Sequence, residues 1–382
     1  MPKRMQTPPA SLVARASRAL SVSVTHLCLV LLLGCGGERE PDALTERVAT
    51  TDWHSPPRLA AGATPTHLLA LAPGSEAPEV LVFDAAGTVS ARHALRMGSA
   101  LQLLETRNGA LALGPDSLTL LSADGSPAGA PHPLQDPPPG MLGRCAVAGR
   151  VLVLVSDDSN GSAVHVQLHR LDGGRIGHRV TFESDSFTAD VAAAAVGPDR
   201  LAVAWQRNDG DTQSIIGAVL DLRGNVVSPA RTLYRPAPGG AIQCCAAAAR
   251  AGGGALLLWT DSSPGPWAPY GLWLTPEAQA SAPVRANPGQ GTDAMGITGV
   301  GGAGSRTIAY RGGIHWGAFA RTGEGYVVMR ATEREGTERR FVVPGESIES
   351  FAIAATSDRV LVLGSVVPES GAEIYAGVFG RR

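Results

Sequence analysis

Two histidines four residues apart, His165 and His169 in the segment HVQLH, form a pair whose residue types could bind a metal. The surrounding alternation of apolar and polar residues predicts a strand, on which positions four apart share one face at a separation of about 13 Å. A shared zinc ion would need both ring nitrogens within about 2.1 Å of the metal. The two histidines are therefore not expected to share a metal ion.

Two acidic segments, SDDSNGS (156–162) and RNDGDTQ (207–213), carry oxygen atoms of the kind that bind calcium. A calcium loop requires oxygen donors at alternating positions and a terminal carboxylate. Neither segment has that pattern, and the two fall at equivalent points of the repeat described below. We expect both segments to be solvated hairpin tips.

Beyond Cys28 and Cys35 near the N-terminus, the chain holds Cys145, Cys244 and Cys245. Three cysteines do not make a disulfide framework. A bond between the adjacent pair would join Cα atoms about 3.8 Å apart across a trans peptide, below the usual range of roughly 4.4–6.8 Å. We expect small buried thiols. A strained disulfide between the neighbours, or a redox or metal role, is the alternative.

Signatures of catalysis are missing from the sequence. Lys3 is the only lysine, which excludes Walker-type phosphate loops and Schiff-base chemistry from the rest of the chain. The turn SADGSPAG (122–129) resembles the Asp-box of sialidases but lacks its closing tryptophan. Trp205, Trp259 and Tyr310 share one position in three repeats, and we expect them to pack between repeats. No acid pair and no nucleophile with a neighbouring base is recognisable.

An aromatic cluster offers a recognition patch: Trp267 and Tyr270 in PGPWAPYGLW (264–273), and Trp316 in IHWGAF (314–319). Exposed aromatic side chains are typical of surfaces that bind a glycan or a peptide. The two segments belong to neighbouring repeats, so the patch would be continuous. The alternative is that half of these rings alternate into the interior of the fold.

These residues are positioned by a repeat that occupies the chain beyond residue 60. No segment there sustains a helical period, whereas short apolar runs recur about 40–54 residues apart. Most runs are followed by a second strand and a turn such as FDAAG (83–87) or LDLRG (220–224), where Asp and Gly suit a tight reversal. Seven copies at this period predict the blades of a β-propeller. The runs are HLLALA (67–72), ALALG (110–114), VLVLV (151–155), LAVAW (201–205), ALLLW (255–259), TIAY (307–310) and RVLVLG (359–364).

The fourth copy predicts four strands within 187–233, and its alanine-rich first strand suits the crowded inner edge of a blade. The last copy reaches Arg382 without an outer strand. The segment WHSPPRL (53–59) is similar to the outer strand of the fourth copy, VVSPARTL (226–233). We therefore expect residues 53–59 to complete the last blade and close the ring.

The first 34 residues combine four basic side chains with an apolar segment and no acid, the pattern of an export signal. Leu32, Leu33, Gly34 and Cys35 resemble the lipobox of bacterial lipoproteins, whose cysteine is diacylated before the signal peptide is removed. The resemblance implies lipid attachment at Cys35. An ordinary secretory signal or an uncleaved anchor is the alternative.

The expected domain organisation is a signal peptide over 1–34, a flexible tether over 35–52 and a propeller over 53–382. Removing the signal subtracts four of the 32 Lys and Arg residues, against 34 Asp and Glu, so the remaining body is acidic. An acidic body is a poor candidate for binding nucleic acid.

The repeat, with VAW before a polar loop, then IxGA and a DxxG turn, resembles the repeats of secreted and surface β-propeller proteins of bacteria. The resemblance implies an all-β fold, most simply seven four-stranded blades closed by an N-terminal strand. A pair of β-sandwiches or an eight-bladed ring is the alternative.

The expected function follows from the anchor and the fold together. By analogy with a propeller lipoprotein of the outer-membrane barrel-assembly machinery, we expect a membrane-anchored, non-catalytic binding or scaffolding module. It would lie in the cell envelope, held by lipid at the outer membrane on the periplasmic face or the cell surface. A protein or glycan partner is expected, with no cofactor and no metal. The alternative function is a cell-surface polysaccharide hydrolase or lyase of propeller fold.

Overall fold

The computed structural model describes one compact unit within residues 41–382, made of strands and turns. Among the residues that the structure describes, no helix is long and apolar enough to cross a membrane. The strands between residues 307 and 340 are described by their backbone alone. The described residues are 42–44, 46–50, 59–74, 76–158, 160–249, 253–263, 268–285, 307–311, 314–321, 324–331, 337–346, 348, 350–356 and 359–380.

The described strands form seven sheets, each of four or five strands, numbered here as blades 1 to 7 in chain order. Within a blade the chain runs from an inner strand through second and third strands to an outer strand, with antiparallel neighbours. The second strands are the most apolar because both of their faces are covered; all five residues of Leu68–Ala72 and of Gly109–Leu113 are buried. Full burial of these strands explains the short apolar runs in the sequence.

From inner to outer, the strands of blade 1 are Ala60–Ala63, Leu68–Ala72, Glu79–Phe83 and Val89–Ala94, and those of blade 2 are Gln102–Thr106, Gly109–Leu113, Ser117–Leu121 and His132–Pro133. Those of blade 3 are Ala146–Ala148, Val151–Asp157, Ala163–Arg170 and Arg175–Glu183, and Met141–Leu142 also pairs with Val151–Asp157. Those of blades 4 and 5 are Phe187–Ala195, Arg200–Asp209, Thr212–Asp221 and Val226–Tyr234; and Ile242–Ala249, Ala255–Asp261, Ala268–Leu274 and Val284–Arg285. Those of blades 6 and 7 are Thr307–Arg311, Ile314–Arg321, Glu324–Ala331, Thr337–Val342 and, on the outside, Asp42–Ala43; and Ser350–Ala355, Arg359–Val366, Glu373–Gly380 and Glu46–Thr50.

The blades close into a ring. The innermost described strand of each blade contacts that of the next blade, and Ser350–Ala355 of blade 7 contacts Ala60–Ala63 of blade 1. Alanines of these strands, such as Ala192 and Ala246, are fully buried. Their small side chains let neighbouring sheets converge, as the sequence predicted for the inner edge of a blade.

The ring is closed by a different segment from the predicted one. The outer strand of blade 7 is Glu46–Thr50, antiparallel to Glu373–Gly380, and not WHSPPRL (53–59). Residues 53–58 lie outside the described ranges, and Leu59 directly precedes the first strand of blade 1. Two prolines in WHSPPRL cannot donate to a ladder, whereas Glu46–Thr50 buries Val48 against blade 7. The propeller therefore begins before residue 53, and the expected tether is shorter.

Blade 6 departs from the regular pattern in two ways. Asp42–Ala43 pairs in parallel with the end of Thr337–Val342, outside the other strands. The apolar run TIAY (307–310) belongs to the innermost described strand of this blade, whereas the other six runs are second strands. The sequence assigned TIAY the same place as the other runs, and the described part of blade 6 corrects that alignment.

The turns between third and outer strands follow the predicted chemistry. In blade 4 the Asp221 carboxylate accepts hydrogen bonds from the backbone N–H groups of Arg223 and Asn225, each at 2.8 Å. Gly224 then adopts φ +89°, which suits glycine. Blade 1 repeats the arrangement with Asp84 and Gly87, at φ +90°.

The blade 2 turn predicts a measurable pH dependence of stability. The side chain of Ser122, then the side chain and backbone of Ser126, hydrogen-bond the Asp124 carboxylate and hold its pKa below the usual value of 3.8. A pKa that is lower in the folded protein adds stability above the unfolded-state value, and that stability is lost as pH falls below 3.8. We expect the melting temperature of Asp124→Asn to fall less steeply than that of the wild type between about pH 5 and pH 2. An equally steep fall of the melting temperature with pH in the two proteins would contradict this role of Asp124.

Candidate functional site

A cavity of about 510 Å³ opens between the outer part of blade 3 and blade 4. Its wall on one side is the end of the blade 3 outer strand, and on the other side the second, third and outer strands of blade 4. The lining residues are Thr181, Phe182, Glu183, Ser184, Trp205, Arg207, Ile216, Ala230, Arg231 and Thr232. This cleft, named here the 3–4 cleft, combines aromatic, hydroxyl and charged groups.

Two aromatic rings from different blades form the apolar wall of the cleft. Phe182 of blade 3 and Trp205 of blade 4 have ring centroids 5.2 Å apart at an interplanar angle of 31°. Trp205 is only 4% exposed, and Phe182 is half-buried. The predicted role of Trp205 in packing between blades is confirmed, and the same contact gives the cleft its apolar side.

The charged groups of the 3–4 cleft are two arginines and one carboxylate. Arg207 is half-buried, and its Nε is buried without a hydrogen-bond partner among the described residues. Exposed Arg231 donates to the carbonyl oxygen of Ala278 in blade 5. Within the described part of the chain, Glu183 forms no ion pair with either arginine. The cleft thus presents one guanidinium, that of Arg207, which its own side chains leave unneutralised.

Hydrogen bonds to blade 5 fix the strand that carries Trp205 and Arg207. Residues 205 and 207 share one face of this strand and Gln206 takes the other, because side chains alternate. The Gln206 Oε1 accepts from the backbone N–H of Cys244 at 3.1 Å. The Gln213 Oε1 of the next strand accepts from the backbone N–H of Ile242 at 2.6 Å. The two amides hold blade 4 against blade 5, while the opposite face of blade 4 is turned to blade 3.

The interface between blades 4 and 5 has an aromatic contact like that of Phe182 with Trp205, but a different charged residue beside it. Trp259 is equivalent to Trp205 in the repeat, and its ring lies 4.9 Å from Tyr234 and 6.2 Å from Tyr270. Tyr270 pairs with Trp259 across the strands, as Ile216 pairs with Trp205. Two residues after each tryptophan stand Asp261 in blade 5 and Arg207 in blade 4.

Asp261 is supplied with partners that Arg207 lacks. The Tyr234 hydroxyl donates to Asp261 Oδ2. The hydroxyl and backbone N–H of Ser263 donate to Oδ1 at 2.6 and 2.7 Å. Phe182 stands in the place of Tyr234 at the 3–4 cleft and has no hydroxyl. The charged group of one interface therefore has hydrogen-bond partners, and the charged group of the other has none among the described residues.

Tyr234 does not have the electrostatics of a catalytic base. Burial, and then the hydrogen bond to Asp261, raise its pKa above the usual value of 10.0. At neutral pH the phenol is therefore protonated and acts as a hydrogen-bond donor.

The residues of the predicted recognition patch are only partly within the described structure. Trp267, like Cys35, lies outside the described residues. Trp316 lies on the strand Ile314–Arg321, where its backbone pairs with Ala309 and Met329. Tyr270 is half-buried and stacked near Trp259, so its ring contributes to packing. The patch as a whole stays a prediction.

The histidines and acidic segments have local roles. His165 hydrogen-bonds Thr181 Oγ1 through Nδ1 at 3.1 Å, whereas His169 is fully buried with its Nδ1 3.0 Å from the Gly173 carbonyl oxygen. At the first hairpin tip, the Asp158 carboxylate accepts from the backbone N–H of Ser162 at 2.6 Å. Among the described residues, no group of three or more His, Cys, Asp or Glu side chains could hold a metal.

The expectation of free thiols at Cys244 and Cys245 is wrong. The two sulfurs are joined in a disulfide on the inner strand of blade 5, and both residues are buried. The expectation assumed a trans peptide bond between the two residues, and this peptide bond is cis in the structure. Cys145 is buried in blade 3, where its backbone N–H donates to Gln102 Oε1 at 2.9 Å.

The 3–4 cleft was not predicted from the sequence, because the repeated tryptophans were interpreted as packing alone. The signal was present in aligned positions: Arg207 and Asp261 are opposite charges, each two residues after the tryptophan of its repeat. Phe182 and Tyr234 both lie at the end of an outer strand. Only the structure shows which charge has partners.

No protein-family model and no curated protein matches the chain. Among solved structures, a chain of Kuenenia stuttgartiensis hydrazine synthase is similar over 87% of this chain and 97% of that one, at 11% identity and a TM-score of 0.54. The polysaccharide lyase Uly1 covers 91% and 94% of the two chains, at 10% identity and a TM-score of 0.49. The GH93 α-L-arabinofuranosidase of Fusarium graminearum covers 87% and 98%, at 12% identity and a TM-score of 0.48. At such identities the likeness concerns the fold, and the chain is an all-β protein with a β-propeller fold.

Proposed function

We propose that this protein is a non-catalytic binding module that holds a glycan chain in the 3–4 cleft. The observation that carries the proposal is an open cavity of about 510 Å³ with an aromatic wall and unneutralised polar groups around it. That volume lies in the range of cavities that hold small ligands.

The cleft suits a sugar because a pyranose has apolar C–H faces and polar edges. Phe182 and Trp205 provide an apolar surface for the ring. Thr232 provides a hydroxyl, Arg207 provides a charged donor and Glu183 provides an acceptor for the edges. A mostly apolar ligand would leave these charged groups unpaired on binding, which costs free energy.

A binding role agrees better with the cleft than glycan cleavage does. Glycoside hydrolysis generally uses two carboxyl groups about 5–10 Å apart. Among the described residues lining the cleft, Glu183 is the sole carboxylate. A polysaccharide hydrolase or lyase remains the alternative, and it becomes an outcome of the test below.

The location we propose is the outer membrane, through lipid at Cys35. Because the first described strand begins at Asp42, the tether would comprise residues 36–41. Such a segment spans at most about 20 Å when fully extended, which would keep the propeller near the bilayer. Cys35→Ala is expected to move the protein from the membrane fraction to the soluble fraction of cells. Continued fractionation of Cys35→Ala with membranes would contradict lipid anchoring at this residue.

Filling the cleft should abolish glycan binding. Ala230 is exposed on the outer strand of blade 4 and lines the cavity, so Ala230→Trp would place an indole in the cleft without removing a buried side chain. We expect the affinity of the purified full chain for immobilised polysaccharides, neutral and acidic, to fall roughly tenfold or more. Val226→Trp is the matched control, because Val226 is exposed on the same strand but does not line the cavity.

Equal binding by the two tryptophan variants would contradict the assignment of the cleft. Release of reducing ends or unsaturated products from the polysaccharides by the wild type, and its loss in Ala230→Trp, would establish the enzymatic alternative instead.

A further inference from the structure

We infer that the 3–4 cleft selects acidic glycans, with the guanidinium of Arg207 binding the carboxylate of a uronate residue. The inference rests on the proposed function and specifies the class of glycan. It starts from the state of Arg207 in the folded protein.

Arg207 lacks the partners that a half-buried charge normally has. Its guanidinium forms no hydrogen bond or ion pair with any residue that the structure describes, and its Nε is buried. Groups of this kind are usually paired, because removing a charge from water is costly. An anion entering the cleft would supply the missing partner.

The neighbouring repeat shows how the same position is satisfied when no ligand is needed. Asp261, two residues after Trp259, receives hydrogen bonds from Tyr234 and Ser263. Arg207, two residues after Trp205, lines the same cavity as Phe182, which stands at the place of Tyr234, and Glu183 is not ion-paired with Arg207. Because of this difference, the positively charged guanidinium of Arg207 is available to a ligand.

The surrounding groups favour a carboxylate carried by a sugar ring. Arg207 lines the cleft, and its guanidinium matches the planar geometry of a carboxylate. Phe182 and Trp205 provide the surface for the ring that carries the carboxylate. The Glu183 carboxylate can accept from a sugar hydroxyl, and it disfavours ligands with a second negative charge close by.

The test compares tetragalacturonate with its methyl ester, which has the same ring skeleton and no charge, by isothermal titration calorimetry on the full chain. We expect the wild type to bind the acid roughly tenfold more tightly or better, since hydrogen bonds to charged groups are strong. Arg207→Gln should lose this preference while keeping the affinity for the ester. Arg223→Gln, which removes an exposed arginine of the same blade outside the cleft, should retain the preference.

The wild-type comparison keeps the inference testable even if Arg207→Gln does not fold. The preference for the acid should shrink when the salt concentration rises, because ionic contacts are screened. Equal wild-type affinities for acid and ester would overturn the inference and leave glycan binding in place. Binding of neither compound, or of any other polysaccharide tested, would overturn the proposed function together with it.

Discussion

Replacing Asp261 by alanine is expected to lower the free energy of unfolding by roughly 3 kcal/mol, because hydrogen bonds to a charged or strongly polar buried group contribute most when their partner is removed. Asp261 is 1% exposed. It accepts from the Tyr234 hydroxyl and from two donors of Ser263, and these donors would lose their shared acceptor in one substitution. Tyr234 also packs on Trp259 across the blade interface, so the loss should loosen the contact between blades 4 and 5.

Urea unfolding followed by circular dichroism would measure the effect. The matched control is Asp221→Ala in the blade 4 turn, where the carboxylate accepts only local hydrogen bonds at the surface. We expect this control to lose about 1 kcal/mol or less. A similar loss in both variants would show that the Asp261 cluster contributes no more than an ordinary turn.

Leu44→Ala is expected to destabilise the propeller by roughly 2–5 kcal/mol, the usual range for removing a fully buried leucine. Leu44 is 0% exposed and lies between the short strand on blade 6 and the closing strand on blade 7. A Cβ built at Gly364 or Gly377 would lie 3.0 or 2.8 Å from a Leu44 methyl group. The two glycines therefore leave the space that the leucine fills, and truncating the leucine would open a cavity there.

Thermal unfolding of Leu44→Ala and Thr50→Ala would measure both effects. Comparing the two melting temperatures distinguishes loss of the buried leucine at the ring closure from loss of an exposed side chain nearby. Thr50 is exposed on the same closing strand, and we expect its replacement to change stability by less than about 0.5 kcal/mol. If Leu44→Ala unfolded at the wild-type temperature, residues 42–50 would not close the propeller.

Most of the fold was predictable because its determinants are local and repeated. The structure confirms the apolar second strands in six of the seven described sheets. It confirms the Asp and Gly turns in blades 1 to 4 and the alanine-rich inner strands in blades 1, 4, 5 and 7. The closing strand was not predictable in the same way. Its pairing joins Glu46–Thr50 to Glu373–Gly380, segments at opposite ends of the chain, and five residues carry too little pattern to distinguish them from the better-looking match at 53–59.

The candidate site was less accessible to sequence reasoning than the fold. Phe182 and Trp205 meet only after two blades have packed, and the difference between Arg207 and Asp261 depends on partners supplied by a neighbouring blade. Catalytic signatures that a sequence displays are clusters of residues within short segments. A binding cleft made from single residues of several strands leaves no such signature.

The central claim is that the 3–4 cleft is the place where a glycan binds. A crystal structure of the protein with tetragalacturonate tests it most directly. We expect electron density for a sugar ring against Phe182 and Trp205, with its carboxylate within hydrogen-bond distance of Arg207. An empty cleft with the saccharide bound at another surface of the propeller would contradict the claim.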